Sequence, residues 1–435
     1  MIGAVAGVVF VAAVGALPAW RVVTRPLEAA VLSPLAGAVV LVPGGVAAVA
    51  TATSPLPWTV LGVAAANGWA WRTGRARPAW TPSSPIGPVL ATLAVFCFVA
   101  VTFLTRPPVD WDAHSIWLYH SHWFAVGGST ARDAFALESF SHAEYPPLLT
   151  ASAGIASRVV RGDLDWRVAQ AVIAAVSWSA LASAGAVLID GARRVWVTAV
   201  GVVALAAVAV DSVGFGVANA EADFAAAATV VLAAVALLVR DDPALVPLGL
   251  IGATAAALCK GESLVAVCVV LAMAWFRRGR PLELRWAGPV AAGVAWAVVA
   301  RLLGAESYLA GDGAGLSLER VVDRAWPSLR RVVEEMSPMV LAAALASAGC
   351  AALLASSRKP LALLWAAVAA NVASLVLVYV IGDLRLDSWL ASSAPRVATG
   401  PALLAAVASV VAIDRCADLA LSREGASASV LTTAR

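Results

Sequence analysis

The chain has 435 residues, 61% of them hydrophobic and 13% charged, with a mean hydropathy of +0.86 and a net charge of +3. A water-soluble domain carries about 25% charged residues, so this chain cannot cover a globular surface with polar groups and must be solvated by lipid. Its basic residues stand in short scattered groups rather than one stripe, which argues against nucleic acid as a partner.

Runs long enough to cross a bilayer need roughly 20 mostly apolar residues. The runs here do not alternate apolar and polar positions as barrel strands do, so the expectation is an all-α integral membrane protein. In chain order, runs and breaks place about 13 spans at 2–20, 27–50, 55–71, 85–105, 166–190, 195–213, 221–239, 244–259, 263–276, 286–304, 337–356, 360–382 and 397–413. The first has no positively charged leader and is long enough to span, so it reads as a helix rather than a cleaved signal. Residues 1–416 form one polytopic domain, and 417–435, rich in Ser, Ala and Thr, read as a disordered cytoplasmic tail.

Arginine and lysine in short connections mark the cytoplasmic side. They stand at Arg21 to Arg25, Arg72 to Arg77, Arg193-Arg194, Arg240, Arg277 to Arg285, Arg358-Lys359 and from Arg415 onward. With the spans above, all of these fall on one face. The opposite, outer face receives residues 106–165, 211–220, the Lys260-Gly261-Glu262 break, 305–336 and 383–396. The chain is thus placed in the cytoplasmic membrane with its suggestive chemistry outside. The cysteines, Cys97, Cys259, Cys268, Cys350 and Cys416, lie in or beside apolar runs without a CxxC pair and read as packing.

All four histidines, His114, His120, His122 and His142, fall within the outer stretch 106–165 together with Asp110, Asp112, Asp133, Glu138 and Glu144. A helix over 112–126 would put Trp117 and Phe124 at the headgroup level, with Asp112, Ser115 and Tyr119 following one another at helical spacing toward a cavity. His120 and His122, two apart, chelate only in an extended segment. A divalent metal is therefore open, and no metal ligand is assigned. The prolines after Glu144-Tyr145 can open a helix, and the run that follows, to Val160, is too short to span.

Asp211, Glu221 and Asp223 border or enter apolar runs and Lys260 with Glu262 interrupts one; a charge there costs about 2.5–3.5 kcal/mol on insertion scales and usually serves a cavity. Lys260 and Lys359 are the only lysines among 30 basic residues, so an arginine was the default and a lysine at 260 looks chosen. Arg396, just ahead of the last span, can reach the headgroups or present its fork to a phosphate.

Five pieces, in order, resemble the GT-C superfamily of polytopic glycosyltransferases, which includes protein O-mannosyltransferases and aminoarabinose transferases acting on lipid A. They are Trp111-Asp112-Ala113 with Ile116-Trp117, Glu144-Tyr145-Pro146-Pro147-Leu148, Ala222-Asp223, Lys260-Gly261-Glu262, and Ser393 to Arg396 ahead of Pro401. The resemblance implies inverting transfer of a sugar from a polyprenyl-phosphate donor to a lipid-linked or cell-envelope glycan outside the membrane, without a nucleotide cofactor. Asp112 would be the catalytic base; Lys260 and Arg396 would hold the phosphate; Asp110, His120, His142, Glu144, Tyr145, Asp223 and Glu262 would complete the substrate pocket. The chain departs from the family pattern at His120, where relatives often carry lysine, and at Trp389, where they often carry histidine. Two other readings compete: a transporter or lipid flippase with Asp223, Lys260 and Glu262 as a relay, and a noncatalytic scaffold on the same fold.

Overall fold

The computed structural model describes residues 2–73, 80–81, 90, 111–137, 141–212, 220–278, 283–307 and 314–433. These form helices α1 (Ile2–Val22), α2 (Pro26–Ala50), α3 (Pro55–Thr73), α4 (Tyr119–Val126), α5 (Gly128–Leu137), α6 (Leu148–Arg161), α7 (Trp166–Asp190) and α8 (Val195–Ser212). They continue with α9 (Ala222–Ala234), α10 (Val246–Ala257), α11 (Ser263–Arg278), α12 (Gly288–Leu302), α13 (Leu318–Leu353), α14 (Arg358–Ile381), α15 (Leu386–Val397) and α16 (Thr399–Thr433). No strand forms among the described residues beyond an isolated bridge between Val23 and Trp80. The expected span at 85–105 lies outside the described residues, apart from residue 90.

Among the described residues, seven helices are long and apolar enough to cross a membrane: Ile2–Val22, Pro26–Ala50, Trp166–Asp190, Ala222–Val239, Leu318–Leu353, Ala355–Ile381 and Leu386–Leu421. Apolar residues ring α7 and α9 on all sides, the composition of a buried span. The most apolar stretch of Trp166–Asp190 is 100% buried, against 22% for Leu318–Leu353. The first therefore stands at the centre of the bundle and the second turns most of its surface outward, toward lipid.

Close packing without a hydrophobic drive between helices needs small residues at the seam. A Cβ at Gly37 of α2 would lie 1.9 Å from the Val11 carbonyl oxygen, and one at Gly15 of α1 would lie 2.0 Å from that of Ser33. Backbone meets backbone there. Gly154 does the same between α6 and α4, 2.2 Å from the Ser121 carbonyl oxygen.

The basic connections meet at one end of the bundle. Asp190 accepts from Trp80 Nε1 at 3.0 Å and pairs with Arg240. Asp414 accepts the backbone N–H groups of Arg193 (3.0 Å) and Arg194 (2.8 Å) and the Thr198 hydroxyl (3.1 Å). Arg278 reaches Asp241 at 3.6 Å and lies over the Trp286 ring. The Asp112, Asp223, Lys260 and Arg396 segments gather at the other end.

Two elements run on past their expected limits. The segment expected as a loop at 305–336 instead starts α13 at Leu318, capped by the Ser317 hydroxyl, which accepts from Arg320 N. Its 36 residues extend about 54 Å at 1.5 Å per residue, well beyond a hydrocarbon core of about 30 Å. The polar first half is held because Arg320 and Arg324 donate to the carbonyls of Ile381 and Gly382, which a helix end leaves without partners. Likewise α16 continues to Thr433 where a disordered tail was expected from 417. Ala, Ser and Arg are tolerable helix formers, and Asp418 anchors the first extra turn through Arg193 (3.3 Å) and Arg194 (3.1 Å).

Substituting Gly37 by alanine should overpack the α1–α2 seam and cost about 1–3 kcal/mol, measured as a lower unfolding midpoint in detergent. Gly68→Ala, with open space at the Cβ position inside α3, should hold or slightly raise the midpoint, since alanine is the better helix former. Equal losses at the two positions would show that the seam is not the constraint.

Candidate functional site

Asp112 opens the site. It precedes a widened π turn, Ala113–Leu118, that runs into α4 and ends at Gly127, whose φ of 68° suits a residue without a side chain. Trp117 and Phe124, expected at the headgroup level, are instead 2% exposed. The reason is that α6, with a strongly one-sided apolar face, packs directly on α4 and offers these rings protein rather than lipid.

Downstream, His142 adopts φ 55°, a left-handed conformation uncommon for a residue with a side chain. Such backbone clusters where function over-determines it. The turn brings Tyr145 between two rings: Trp117 at 5.4 Å and 13°, and His142 at 5.0 Å and 14°. The Glu144 carboxylate lies behind, 3.5 Å from His142 Nδ1, while its carbonyl accepts from Trp296 Nε1 at 2.8 Å. Leu148 N then donates to the Leu258 carbonyl at 2.8 Å, seating this turn on the break that carries Lys260.

That break separates α10 from α11. Ser374 of α14 donates to the Glu262 carbonyl, fixing the loop against the neighbouring helix. Asp223 stands in the first turn of α9, where the helix dipole favours a carboxylate. Glu221 occupies the N-cap position of the same helix after Ala220, another residue with positive φ (62°).

These groups form one chain of alternating charge. Arg396, in the last turn of α15, lies 2.5 Å from Asp112, 3.1 Å from Glu221 and 3.8 Å from Asp223. Lys260 Nζ lies 2.7 Å from Asp223 and 3.6 Å from Glu262. Burial grades along it: the Asp112 and Arg396 side chains are 28% and 26% exposed, those of Lys260 and Asp223 only 11% and 4%. Asp112 is thus the carboxylate an entering molecule meets first. Burial disfavours the Lys260 charge, but Asp223 and Glu262 outweigh it and hold the ammonium above its ordinary range.

A cavity of about 170 Å³ opens over this chain. One wall is the Trp117–Tyr145–His142 stack; the other is Trp389 against Tyr379 at 4.7 Å, with the Tyr379 and Ser393 hydroxyls sharing a 2.7 Å hydrogen bond. Lys260 Nζ is 5.8 Å from the Tyr145 ring centre, in cation–π range.

Of the residues expected at the site, Asp112, His142, Tyr145, Asp223, Lys260, Glu262 and Arg396 all line the cavity. Glu144 stands one layer back, behind His142. Asp110 lies outside the described residues. His120 is not a lining residue: it is 3% exposed, stacked on Trp123 at 4.3 Å, with Nε2 3.2 Å from Ser141 Oγ. Its helix turns that side chain away from Asp112 into the α4–α5 packing. His122 faces Asp163 at 3.7 Å, with both side chains exposed. Glu221, expected to border a cavity, joins the site through Arg396, and Ser393 enters it from the last of the resembling pieces; Tyr379 was not expected as a site group. Tyr379 sits in an apolar run with no local mark. Among the described residues no group of three or more His, Cys, Asp or Glu could hold a metal ion.

Burial, reinforced by His142 nearby and only partly offset by Ser141, lowers the His120 pKa from 6.5 to about 3. The folded state then binds fewer protons than the unfolded state between those values. The neutral ring's contribution is complete above about pH 6.5 and declines as pH falls toward 3. Between pH 7.5 and 5 the wild type should lose about 1–2 kcal/mol more than His120→Gln, measured as the shift in detergent unfolding midpoint. Equal pH slopes would show that His120 is not buried neutral.

No protein family, curated protein or solved structure matches this chain.

Proposed function

We propose that this chain is a membrane glycosyltransferase that moves a sugar, with inversion, from a polyprenyl-phosphate donor to a lipid-linked or cell-envelope glycan acceptor on the outer side of the cytoplasmic membrane. The observation that carries the reading is the convergence of Asp112, Asp223, Lys260 and Arg396, far apart in sequence, around one aromatic-walled cavity at the end of the bundle away from the basic connections. About 13 spans in a GT-C-like arrangement belong to the same proposal. They would comprise the seven long helices, the shorter α3, α8, α10, α11 and α12, and the 85–105 stretch.

A donor with an isoprenoid tail dissolves only in the bilayer, and its phosphate and sugar sit at headgroup depth, where the cavity would open. The donor phosphate draws the Arg396 guanidinium away from Asp112 and also engages Lys260. Both cations stand where negative charge grows as the bond from the anomeric carbon to the phosphate oxygen breaks. Asp112, released, accepts the proton of the acceptor hydroxyl while that oxygen attacks the anomeric carbon from the opposite face. Polyprenyl phosphate leaves. The flat faces of Tyr145 and Trp389 suit the apolar face of a sugar ring, and about 170 Å³ is well below the 300–1,000 Å³ of pockets for larger ligands, so one sugar unit is the natural cargo.

A transport relay would instead need polar groups at several depths with access from both faces. Here the charged chain is confined to one end, which favours transfer. A water-soluble thiol reagent should reach Lys260→Cys from the outer side alone; labelling from the basic end would favour transport.

Asp112→Asn should leave the protein folded in the membrane and lower transfer from a lipid-phosphate sugar by about 10²–10⁴. Arg396→Lys, which keeps the charge but loses the fork, should raise the KM for donor with little change for acceptor. Full activity of Asp112→Asn, or equal effects of Arg396→Lys on both substrates, would remove those residues from their assigned roles.

A further inference from the structure

A second cavity, of about 380 Å³, lies between α1, α2, α3, α10 and α12 at the end where the basic connections meet. α2 and α10 touch behind it, so it is a slot between two groups of helices rather than a dimple on one. Its walls are largely aliphatic, with Val39, Val40, Ala66, Leu250 and Ile251 among them, and Thr254 adds a hydroxyl on the α10 side. Two cations also line it: Arg21, from the last turn of α1, and Arg285, just ahead of α12.

The two arginines are held differently. Arg285 is shared with Glu283, Nε to Oε2, at 2.7 Å. Arg21 lies against the Trp71 ring at 5.7 Å, and its Nε is buried without a hydrogen-bond partner. A guanidinium nitrogen removed from water without an acceptor leaves a donor for an anion to satisfy. Trp71 and the cavity-lining Trp69 are 69% and 59% exposed, as aromatic side chains are at a headgroup boundary. The cavity therefore combines an aliphatic slot, a cationic mouth and an aromatic rim at interface depth.

We propose that this groove binds one anionic glycerophospholipid from the leaflet at the basic end. Its phosphate rests on Arg21 and Arg285, and one acyl chain lies between α2, α3 and α10. Charge complementarity selects the occupant: a zwitterionic lipid presents the same phosphodiester but adds a quaternary ammonium that two arginines repel, whereas an anionic lipid presents the phosphate charge without it. Basic pockets between spanning helices hold anionic lipid headgroups for this reason. The site is separate from the charged cavity and does not depend on the transfer reaction.

Native mass spectrometry of the full chain in nonionic detergent tests this with dioleoyl phosphatidylglycerol and dioleoyl phosphatidylcholine added at equal concentration. One phosphatidylglycerol should be retained at lower lipid concentration than phosphatidylcholine. Arg21→Gln and Arg285→Gln should each weaken that preference by about fivefold, while Ala66→Trp, which fills the slot, should reduce retention of both lipids. Independently of any variant, a phosphatidylglycerol with a photoreactive acyl tail should crosslink the wild-type chain within residues 36–40, 66–70 or 247–254. Equal retention of the two lipids, or crosslinks confined to other segments, would overturn the proposal. Tighter retention of polyprenyl phosphate, lost in the same variants, would overturn the phospholipid assignment and give the groove to an isoprenoid chain.

Discussion

Arg396 ties together three stretches of chain that the fold would otherwise have no reason to join. Its guanidinium faces Asp112 from the long 106–165 segment and Glu221 and Asp223 from the start of α9, and Asp223 passes the connection on to Lys260. In an apolar bundle each of these charges alone would carry a heavy desolvation penalty, and removing one partner of a buried pair typically costs about 3–5 kcal/mol. Paired in alternation they are tolerated, and the helix ends that carry them are drawn to one place. The Lys260 break, the left-handed turn at His142 and the Ala220 turn are the local backbone adjustments that let those ends converge.

The same pairing leaves the site poised. Asp112 and Arg396 are the most exposed members of the chain, and Asp223 and Lys260 lie deeper. An anion arriving from the surface would therefore compete first for Arg396 and disturb the deep pair least. In the proposed transferase this exchange is what frees the base, so donor binding and base activation become one event. Aromatic faces on both sides of the cavity would leave the proposed sugar few other orientations.

Much of this was legible in the sequence because lipid makes charge conspicuous. Lys260, Glu262, Asp223 and Arg396 stood out against apolar runs, and these four line one cavity. Burial of the loop aromatics was not legible: Trp117 and Phe124 have the same local pattern whether they meet headgroups or α6, and only tertiary packing decides. His120 illustrates the same limit, since its helical position reveals neither the stacking on Trp123 nor the contact with Ser141. The start of α13 at Leu318 was hidden because its arginines read as loop charges, although Arg320 and Arg324 serve to satisfy carbonyls at the end of α14. Tyr379 carried no mark at all, being one aromatic residue in an apolar span.

The central claim is that the cavity over Lys260 and Arg396 recognises the phosphate of an isoprenoid lipid. Equilibrium binding of a short-chain polyprenyl phosphate and of the corresponding uncharged polyprenol to the purified protein measures that recognition directly. The account expects the phosphate to bind at least about tenfold more tightly, a difference of about 1.4 kcal/mol, and the advantage to vanish in Lys260→Met. Equal affinity for the two lipids, or an advantage that survives the loss of Lys260, would contradict it.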